Sequence, residues 1–406
     1  MKVLLIGSGG REHALAWKLS QSSRLTELHA APGNPGIAAL GECHPVRAED
    51  GEGLLDLARG LGVDLAVIGP EAPLVAGVAD ELRHAGVAVF GPGREAARIE
   101  GSKSFAKEVM AAAGIATAET MSVARPPCVV KVDGLAAGKG VFVCPDQKSL
   151  AAALSEVARL DHPIVIEELL EGEELSVFAL AAGRTAVPLA PARDYKRVGD
   201  DDSGPNTGGM GSYSPVAGFG AAEVEELVDS VHRPVLAELA RRGSPFVGLL
   251  YAGLMLTEDG PKVLEFNCRF GDPEAQSILP RLQGDLLEAL GAAAVGDLPT
   301  NALEVDDQAA VTVVLAGQDY PEHPDSGSPI EGVADAEASG ALVFHAGTAM
   351  RAGRLVTNGG RILGVTALGG SIDAARQRSY DACEQISFVG MRYRRDIAGR
   401  AVNVAS

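Results

Sequence analysis

Aromatic residues are scarce, 4% of 406 positions with a single tryptophan, so the 46% hydrophobic fraction is mostly aliphatic and small. Cysteine is also sparse: Cys43, Cys128, Cys144, Cys268 and Cys383 are an odd, widely separated set with no C-x-x-C pair. That argues against a disulfide framework or a cysteine zinc site, and a reduced, cytoplasmic setting is expected. No run of about 18 apolar residues occurs, which excludes a membrane-spanning helix. The opening Met1-Lys2-Val3-Leu4-Leu5-Ile6 is too short for a secretory signal and runs into Gly7-Ser8-Gly9-Gly10-Arg11-Glu12, which is strand-then-turn chemistry. Basic charge is outnumbered, 35 Lys and Arg against 54 Asp and Glu, a net −19. Without a basic excess to displace counterions, nonspecific nucleic-acid binding is not expected. A local basic pocket for a small anion is still allowed.

What is present is length and alternation. At roughly 150 residues per domain, the length predicts two to four domains. Over the first 100 residues, strands at 2–6, 28–31, 64–68 and 87–90 alternate with helices from about 11, at 54–59 and at 75–84. That order predicts a doubly wound parallel sheet with ligand-binding turns along one edge. A helix at 103–113 closed by Gly114 follows, then strands at 128–132 and 141–144 joined by a glycine-rich hairpin. A helix at 150–160 and strands at 164–166 and 175–180 complete a small α+β module able to act as a lid. Strands are expected at 249–256 and 262–266. Beyond about 310 the tail is β-rich, with Asn358-Gly359 read as a hairpin turn.

Four segments carry chemistry. Gly7, Gly9 and Gly10 sit between a strand and a helix, where unpaired backbone N–H groups favour an anion. The dinucleotide fingerprint fails there, because its third glycine is replaced by Glu12 and the second strand ends in Pro32 rather than an acid. In Lys131-Val132-Asp133-Gly134-Leu135-Ala136-Ala137-Gly138-Lys139-Gly140, the glycine spacing is not that of a P-loop, yet two lysines bracket a mobile hairpin suited to covering phosphates. Lys131 must face opposite to Val130 and Val132 on its strand. The strand 164–166 runs into an acidic turn at Glu167-Glu168-Leu169-Leu170-Glu171, whose backbone could meet an adenine edge while one carboxylate takes ribose hydroxyls. In Glu265-Phe266-Asn267-Cys268-Arg269, residues 265, 267 and 269 share one face. A carboxylate and an amide oxygen two residues apart are hard ligands for Mg²⁺, with the arginine beside them for a phosphate. A fifth stretch, 193–211, mixes charge and glycine in a long loop suited to an active-site wall.

Taken in order, these strings resemble the phosphoribosylamine–glycine ligase (glycinamide ribonucleotide synthetase) family of the ATP-grasp superfamily. The similarity covers nearly the whole chain and includes Ala31-Pro32-Gly33-Asn34, Gly69-Pro70-Glu71-Ala72-Pro73-Leu74, Gly101-Ser102-Lys103, Gly204-Pro205-Asn206-Thr207-Gly208-Gly209-Met210-Gly211 and Asp272-Pro273-Glu274. The resemblance implies an α/β and α+β multidomain fold: an N-terminal Rossmann-like unit at 1–102, an ATP-grasp large lobe at 103–122 and 189–305, a small lobe at 123–188, and a β-rich C-terminal unit at 306–406. It implies ATP-driven joining of glycine to 5-phosphoribosylamine through a glycyl phosphate, with Mg²⁺ or Mn²⁺, in purine synthesis, by a monomer. On the same basis Lys103, Lys131, Gly134, Gly138, Lys139 and Gly140 are the expected phosphate contacts, and Glu167, Leu170 and Glu174 the adenine and ribose contacts. Glu265 and Asn267 are the expected metal ligands, and Arg269 and Lys131 the catalytic cations. Gly9, Gly10, Gly33, Asn34, Asp194 and Asn206 fall on the substrate side.

Two departures stand out. The chain between Thr117 and Cys128 is short for the family, where a helix normally precedes the lysine strand. Tyr251-Ala252-Gly253-Leu254-Met255 also lacks the extra acidic ligand of many ATP-grasp enzymes, an absence the ligase family shares. The alternatives are another ATP-grasp carboxylate–amine ligase with a different acceptor, a nicotinamide oxidoreductase, or a nucleotide-binding regulator without turnover.

Overall fold

The computed structural model of the chain describes residues 1–135, 140–159 and 162–404. Its N-terminal unit is a five-stranded parallel sheet. The Lys2–Gly7 strand lies between Glu27–Pro32 and Leu65–Ile68, with Glu42–Cys43 and Ala88–Phe90 at the two edges. Along the central strand, Leu4 and Ile6 enter one apolar core while Val3 and Leu5 enter another, all fully buried. A strand apolar on both faces needs cover on both, which is why the sheet is doubly wound. The helix expected at 75–84 divides into Glu71–Ala76 and Val78–His84, because Gly77 sits at φ +94° and ends the first segment.

The next sheet is antiparallel and four-stranded, with Phe246–Thr257 between Glu173–Gly183 and Gly260–Asn267 and with Thr185–Pro188 outermost. Above it stands a three-stranded lobe in which Cys128–Val132 lies between Val141–Cys144 and Ile164–Glu168. Cys128, Val130 and Val132 pack with Leu150 and Val157 of the Gln147–Val157 helix, leaving Lys131 on the opposite face as its strand position requires. The strand expected at 175–180 does not belong to this lobe. It runs beside Phe246–Thr257 from Glu173 opposite Leu256 to Gly183 opposite Phe246. Its continuous buried run from Leu175 to Ala182 needs apolar cover that only the larger sheet supplies. The shortened link also shows: residues 114–127 hold no helix, and Thr117 and Thr120 bridge to Val263 and Glu167.

The C-terminal segment is β-rich as expected, but it shares its main sheet. Arg193–Asp194 and Gly211–Ser214 pair into Ala309–Ala316, Arg361–Gly369 and Leu342–His345. Segments 189–305 and 306–406 are therefore stitched together by backbone hydrogen bonds, and the 193–211 loop is held at both ends.

Asn358-Gly359 is not the hairpin turn. Those residues end the Arg354–Gly359 strand, which pairs back onto Thr348–Arg351 through Ala352-Gly353, both at positive φ (+49° and +76°). The Asn-Gly pair is a strong local signal, but Gly359 is needed elsewhere: a Cβ there would lie 2.7 Å from Gly347. No helix among the described residues is long and apolar enough to cross a membrane.

A two-residue turn with both φ positive favours Asn-Gly, and an alanine held left-handed costs roughly 1–2 kcal/mol. Ala352→Asn is expected to stabilise the protein by about 0.5–1 kcal/mol, read as a higher urea midpoint; an unchanged or lower midpoint contradicts the turn assignment.

Candidate active site

A cavity of about 1270 Å³ opens between the three-stranded lobe, the four-stranded sheet and the C-terminal segment. Single-ligand pockets run to about 1,000 Å³, so there is room for more than one small molecule. Lys103, Lys131, Gly134, Gly140, Glu167, Leu170 and Glu174 line it, as do Asp194, Asn206, Glu265, Asn267 and Arg269. Gly138 and Lys139 lie outside the described residues.

Lys103 opens the Lys103–Ala113 helix, started by Ser102, whose hydroxyl accepts from Phe105 N at 3.2 Å. Asp133, just before the glycine turn, accepts from Lys103 N at 2.6 Å and from the Ser104 hydroxyl at 2.5 Å. Lys103 Nζ donates to Gly134 O at 3.0 Å. The turn is thus anchored on a helix start. One helical turn on, Lys107 meets Glu167 at 2.7 Å; Glu167 also holds Lys131 at 2.5 Å, and Lys131 donates to Leu264 O at 2.9 Å. Glu167 is almost fully buried, with its carboxylate between two ammonium groups. Burial lowers the Lys103 and Lys107 pKa values, with Glu265 and Glu167 respectively opposing the shift.

Across the cavity, Arg269 is clasped by Glu71 at 3.1 Å and Glu100 at 2.9 Å, and it donates to Asn267 Oδ1 at 3.2 Å. Burial raises the Glu71 carboxyl, but Arg269 and Arg11 outweigh it and hold it at about 2. Glu265 differs. Among the described residues no cation lies within ion-pair distance of its carboxylate. Burial works to raise its pKa, yet the surrounding Lys196, Lys131, Lys103 and Arg269 lower it overall. An ionised carboxylate without a direct partner, beside an amide oxygen, suits a hard divalent cation that also binds phosphate oxygens.

A third group lies in the 193–211 wall. Lys196 pairs with Glu174 at 2.5 Å, and burial would lower its ammonium pKa, but Glu174 and Asp194 hold it well above the lysine range. Asp194 is pushed up to about 8 by burial, with Glu274, Glu174 and Glu265 adding to the shift against Lys196. Asn206 donates to Val141 O at 3.4 Å, joining this wall to the strand after the glycine turn.

At the N-terminal glycine turn the chain places a carboxylate of its own. A Cβ at Gly7 would lie 2.7 Å from the Glu12 side chain, and one at Gly69 only 2.0 Å from Glu12 Oε1. Glu12 fills that space itself, accepting from Gly9 N at 2.6 Å and from Arg11 Nε at 2.6 Å. The expected donor at Gly9 is therefore taken by the chain's own carboxylate. Asn34 is likewise spent on Ser8 O at 2.9 Å and His345 O at 2.8 Å, and Gly33 leaves room for Cys43 Sγ. None of Gly9, Gly10, Gly33 and Asn34 is among the cavity-lining residues. Gly9 borders it through Asp272, which pairs with Arg361 at 3.1 Å on the cavity wall.

Sequence reading missed Lys107, Glu71, Glu100, Lys196 and Arg361. Lys107 was findable, since it lies four residues after Lys103 on one helix face. Lys196 stood in a charged loop without a role. Glu71, Glu100 and Arg361 meet their partners only through tertiary packing, and no local spacing marks them.

The comparisons with known proteins agree along the chain. Residues 1–100 match the family described as Phosphoribosylglycinamide synthetase, N domain, residues 101–275 its ATP-grasp (A) domain, and residues 310–400 its C domain. The phosphoribosylamine–glycine ligase of Streptomyces coelicolor is 50% identical and that of Rhizobium meliloti 48%, each aligned over 99% of both chains. The crystal structure of the phosphoribosylamine–glycine ligase of Thermotoga maritima superposes with a TM-score of 0.84 at 35% identity, covering 98% of this chain and 100% of that one. With three successive family matches and relatives aligned over 99% of both chains, the chain belongs to the phosphoribosylglycinamide synthetase family.

Proposed function

We propose that the chain joins glycine to 5-phosphoribosylamine at the expense of ATP, releasing glycinamide ribonucleotide, ADP and phosphate, as a monomer whose cavity is built from one chain. The observation that carries this reading is the unpaired, ionised Glu265 beside Asn267, facing Lys103 and Lys131 across one cavity.

The chemistry asks for charge control. A carboxylate is a poor acyl donor, so one glycine oxygen attacks the γ-phosphorus, the bond to ADP breaks, and glycyl phosphate forms. The sugar amine then attacks the acyl carbon, phosphate leaves with the acyl oxygen, and one amine proton is lost. Positioning and electrostatic stabilisation supply most of such catalysis. Lys103 and Lys131 hold the nucleotide phosphates, Glu167 orients Lys131, and Gly134 and Gly140 lie beside them on the cavity wall. Leu170 and Glu174 face the adenosine, and Arg269, fixed by Glu71 and Glu100, faces the transferring phosphoryl group. Glu265 and Asn267 would hold Mg²⁺ or Mn²⁺, which would neutralise phosphate charge when bound. Asp194 and Asn206 serve the acceptor side, with the Gly9–Gly10 and Gly33–Asn34 turns as backing.

The reading is tested with purified protein, ATP, Mg²⁺, glycine and freshly generated phosphoribosylamine, omitting each in turn. ADP release at full rate without glycine or without the sugar amine contradicts it. Glu265→Gln is expected to lower turnover about 10- to 100-fold, the loss of one charge-assisted contact worth roughly 1.5–3 kcal/mol, with an unchanged circular dichroism spectrum. Wild-type turnover at limiting Mg²⁺ removes Glu265 from the metal.

For Asp194 the linkage sign is set by its raised pKa. The folded chain keeps a proton that the unfolded chain, with an ordinary value of 3.8, releases. Its contribution to stability is largest in acid, falls from about pH 4 to about pH 8, and is level above that. By urea midpoints, wild type is expected to lose stability relative to Asp194→Asn as pH rises through that window. A difference independent of pH overturns the assignment.

A further inference from the structure

Away from the cavity, on the edge of the N-terminal sheet, three side chains converge that the ligase reaction does not use. His29 and Glu42 lie directly opposite each other where the two-residue Glu42–Cys43 strand pairs with Glu27–Pro32, and His44 follows with its backbone N–H on Ala30 O at 2.8 Å. His29 Nδ1 and His44 Nε2 are 3.1 Å apart, and the Glu42 carboxylate reaches His29 Nδ1 at 3.8 Å. One ligand atom from each of the three lies within 4.8 Å of the others. On its far side, His29 Nε2 meets Glu27 Oε2 at 3.2 Å.

We propose that His29 Nδ1, His44 Nε2 and the Glu42 carboxylate form a binding site for a divalent transition metal of the zinc class, with Glu27 positioning His29. The tautomer supports it. Glu27, as an acceptor, draws the His29 proton to Nε2 and leaves the Nδ1 lone pair aimed at His44. Without a metal, that contact is held by one proton on His44 Nε2; a metal takes the proton's place. Two nitrogens on one tetrahedral zinc, at about 2.0–2.1 Å each, stand roughly 3.3 Å apart, close to the observed spacing. A histidine whose second nitrogen is held by a carboxylate is the usual outer-sphere arrangement of such sites. Two imidazoles and one carboxylate favour zinc, copper or nickel over magnesium or calcium. His29 is buried and fixed in place, while the more exposed Glu42 has room to swing in, leaving an open position for water. The bound ion would tie a two-residue edge strand to the sheet, where backbone pairing alone is slight.

The test uses the full chain stripped with chelator and kept in excess Mg²⁺, so that the carboxylates of the cavity are not the sites counted. Zn²⁺ is titrated by calorimetry, and Co²⁺ by its visible absorption. Wild type is expected to take up one equivalent with a tetrahedral cobalt spectrum and to melt at a higher temperature with Zn²⁺. His44→Ala, at a half-buried position, and Glu42→Gln, at an exposed one, are expected to bind at least tenfold more weakly, and Glu27→Gln about tenfold more weakly with the stoichiometry kept. No uptake by wild type, or equal affinity in His44→Ala, overturns the site and leaves a proton-bridged histidine pair. Equal affinity in Glu27→Gln overturns the positioning role.

Discussion

A cavity made to attract polyanions must hold its cations in place before any ligand arrives, and this chain meets that constraint by giving them counterions of its own. Lys107 and Lys131 share Glu167, Lys196 has Glu174, Arg269 has Glu71 and Glu100, and Arg361 has Asp272. An isolated buried ammonium or guanidinium would cost several kcal/mol in desolvation and would tend to lose its charge or its place. Pairing keeps both. The exception is informative: Glu265 is a carboxylate kept ionised by four surrounding cations yet bonded to none of them. The site is balanced as a whole and unbalanced at one point, the point where a divalent ion fits. The net charge of −19 is therefore no obstacle to binding a triphosphate, since the local pattern decides the local field.

The fold serves the same constraint. Each cation and its counterion come from different elements, so the pairs also act as joints. Glu71 lies on the N-terminal unit and Arg269 just past the end of the Gly260–Asn267 strand. Asp272 belongs to the ATP-grasp segment and Arg361 to the C-terminal sheet, where Arg361 Nη1 also donates to Gly208 O at 2.6 Å. Pairing of Gly211–Ser214 with Ala309–Ala316 fixes the loop that carries Asp194, Lys196 and Asn206. A C-terminal segment that might pass for an appended unit is thus part of the cavity wall.

How much of this was legible depends on the range of the interaction. Period-two alternation put Lys131 on the face away from Val130 and Val132, and put Glu265 with Asn267, from three residues on either side. The helix at Lys103–Ala113 was readable to the residue, because Ser102 and Gly114 are its own caps. What failed was what another part of the chain decides. Asn358-Gly359 has the composition of a turn, but Gly347 needs the space beside it. The glycines of the first turn signal an anion, and the carboxylate of Glu12 already sits on Gly9 N, a partner no local spacing announced. Window arguments cannot see that Gly69 closes over the same carboxylate. No local spacing links Glu27, Glu42, His29 and His44, because the parallel register that aligns His29 with Glu42 is set by the whole sheet.

The joints between the small lobe and the body carry a further consequence. Lys131 and Glu167 both belong to the three-stranded lobe, and each reaches across: Lys131 to Leu264 O, Glu167 to Lys107 on the body. Their mutual pair lies on one side of the gap and their outward contacts span it. A triphosphate competing with Glu167 for Lys131 and Lys107 would replace one shared carboxylate with several phosphate oxygens that both lysines can reach at once. The lobe would then be held to the body through the ligand as well as through Glu167. On that proposal, nucleotide binding and lobe position would draw on the same two ammonium groups. Lys103, tied to Gly134 O through its ammonium and to Asp133 through its backbone, would extend that coupling to the start of the glycine turn.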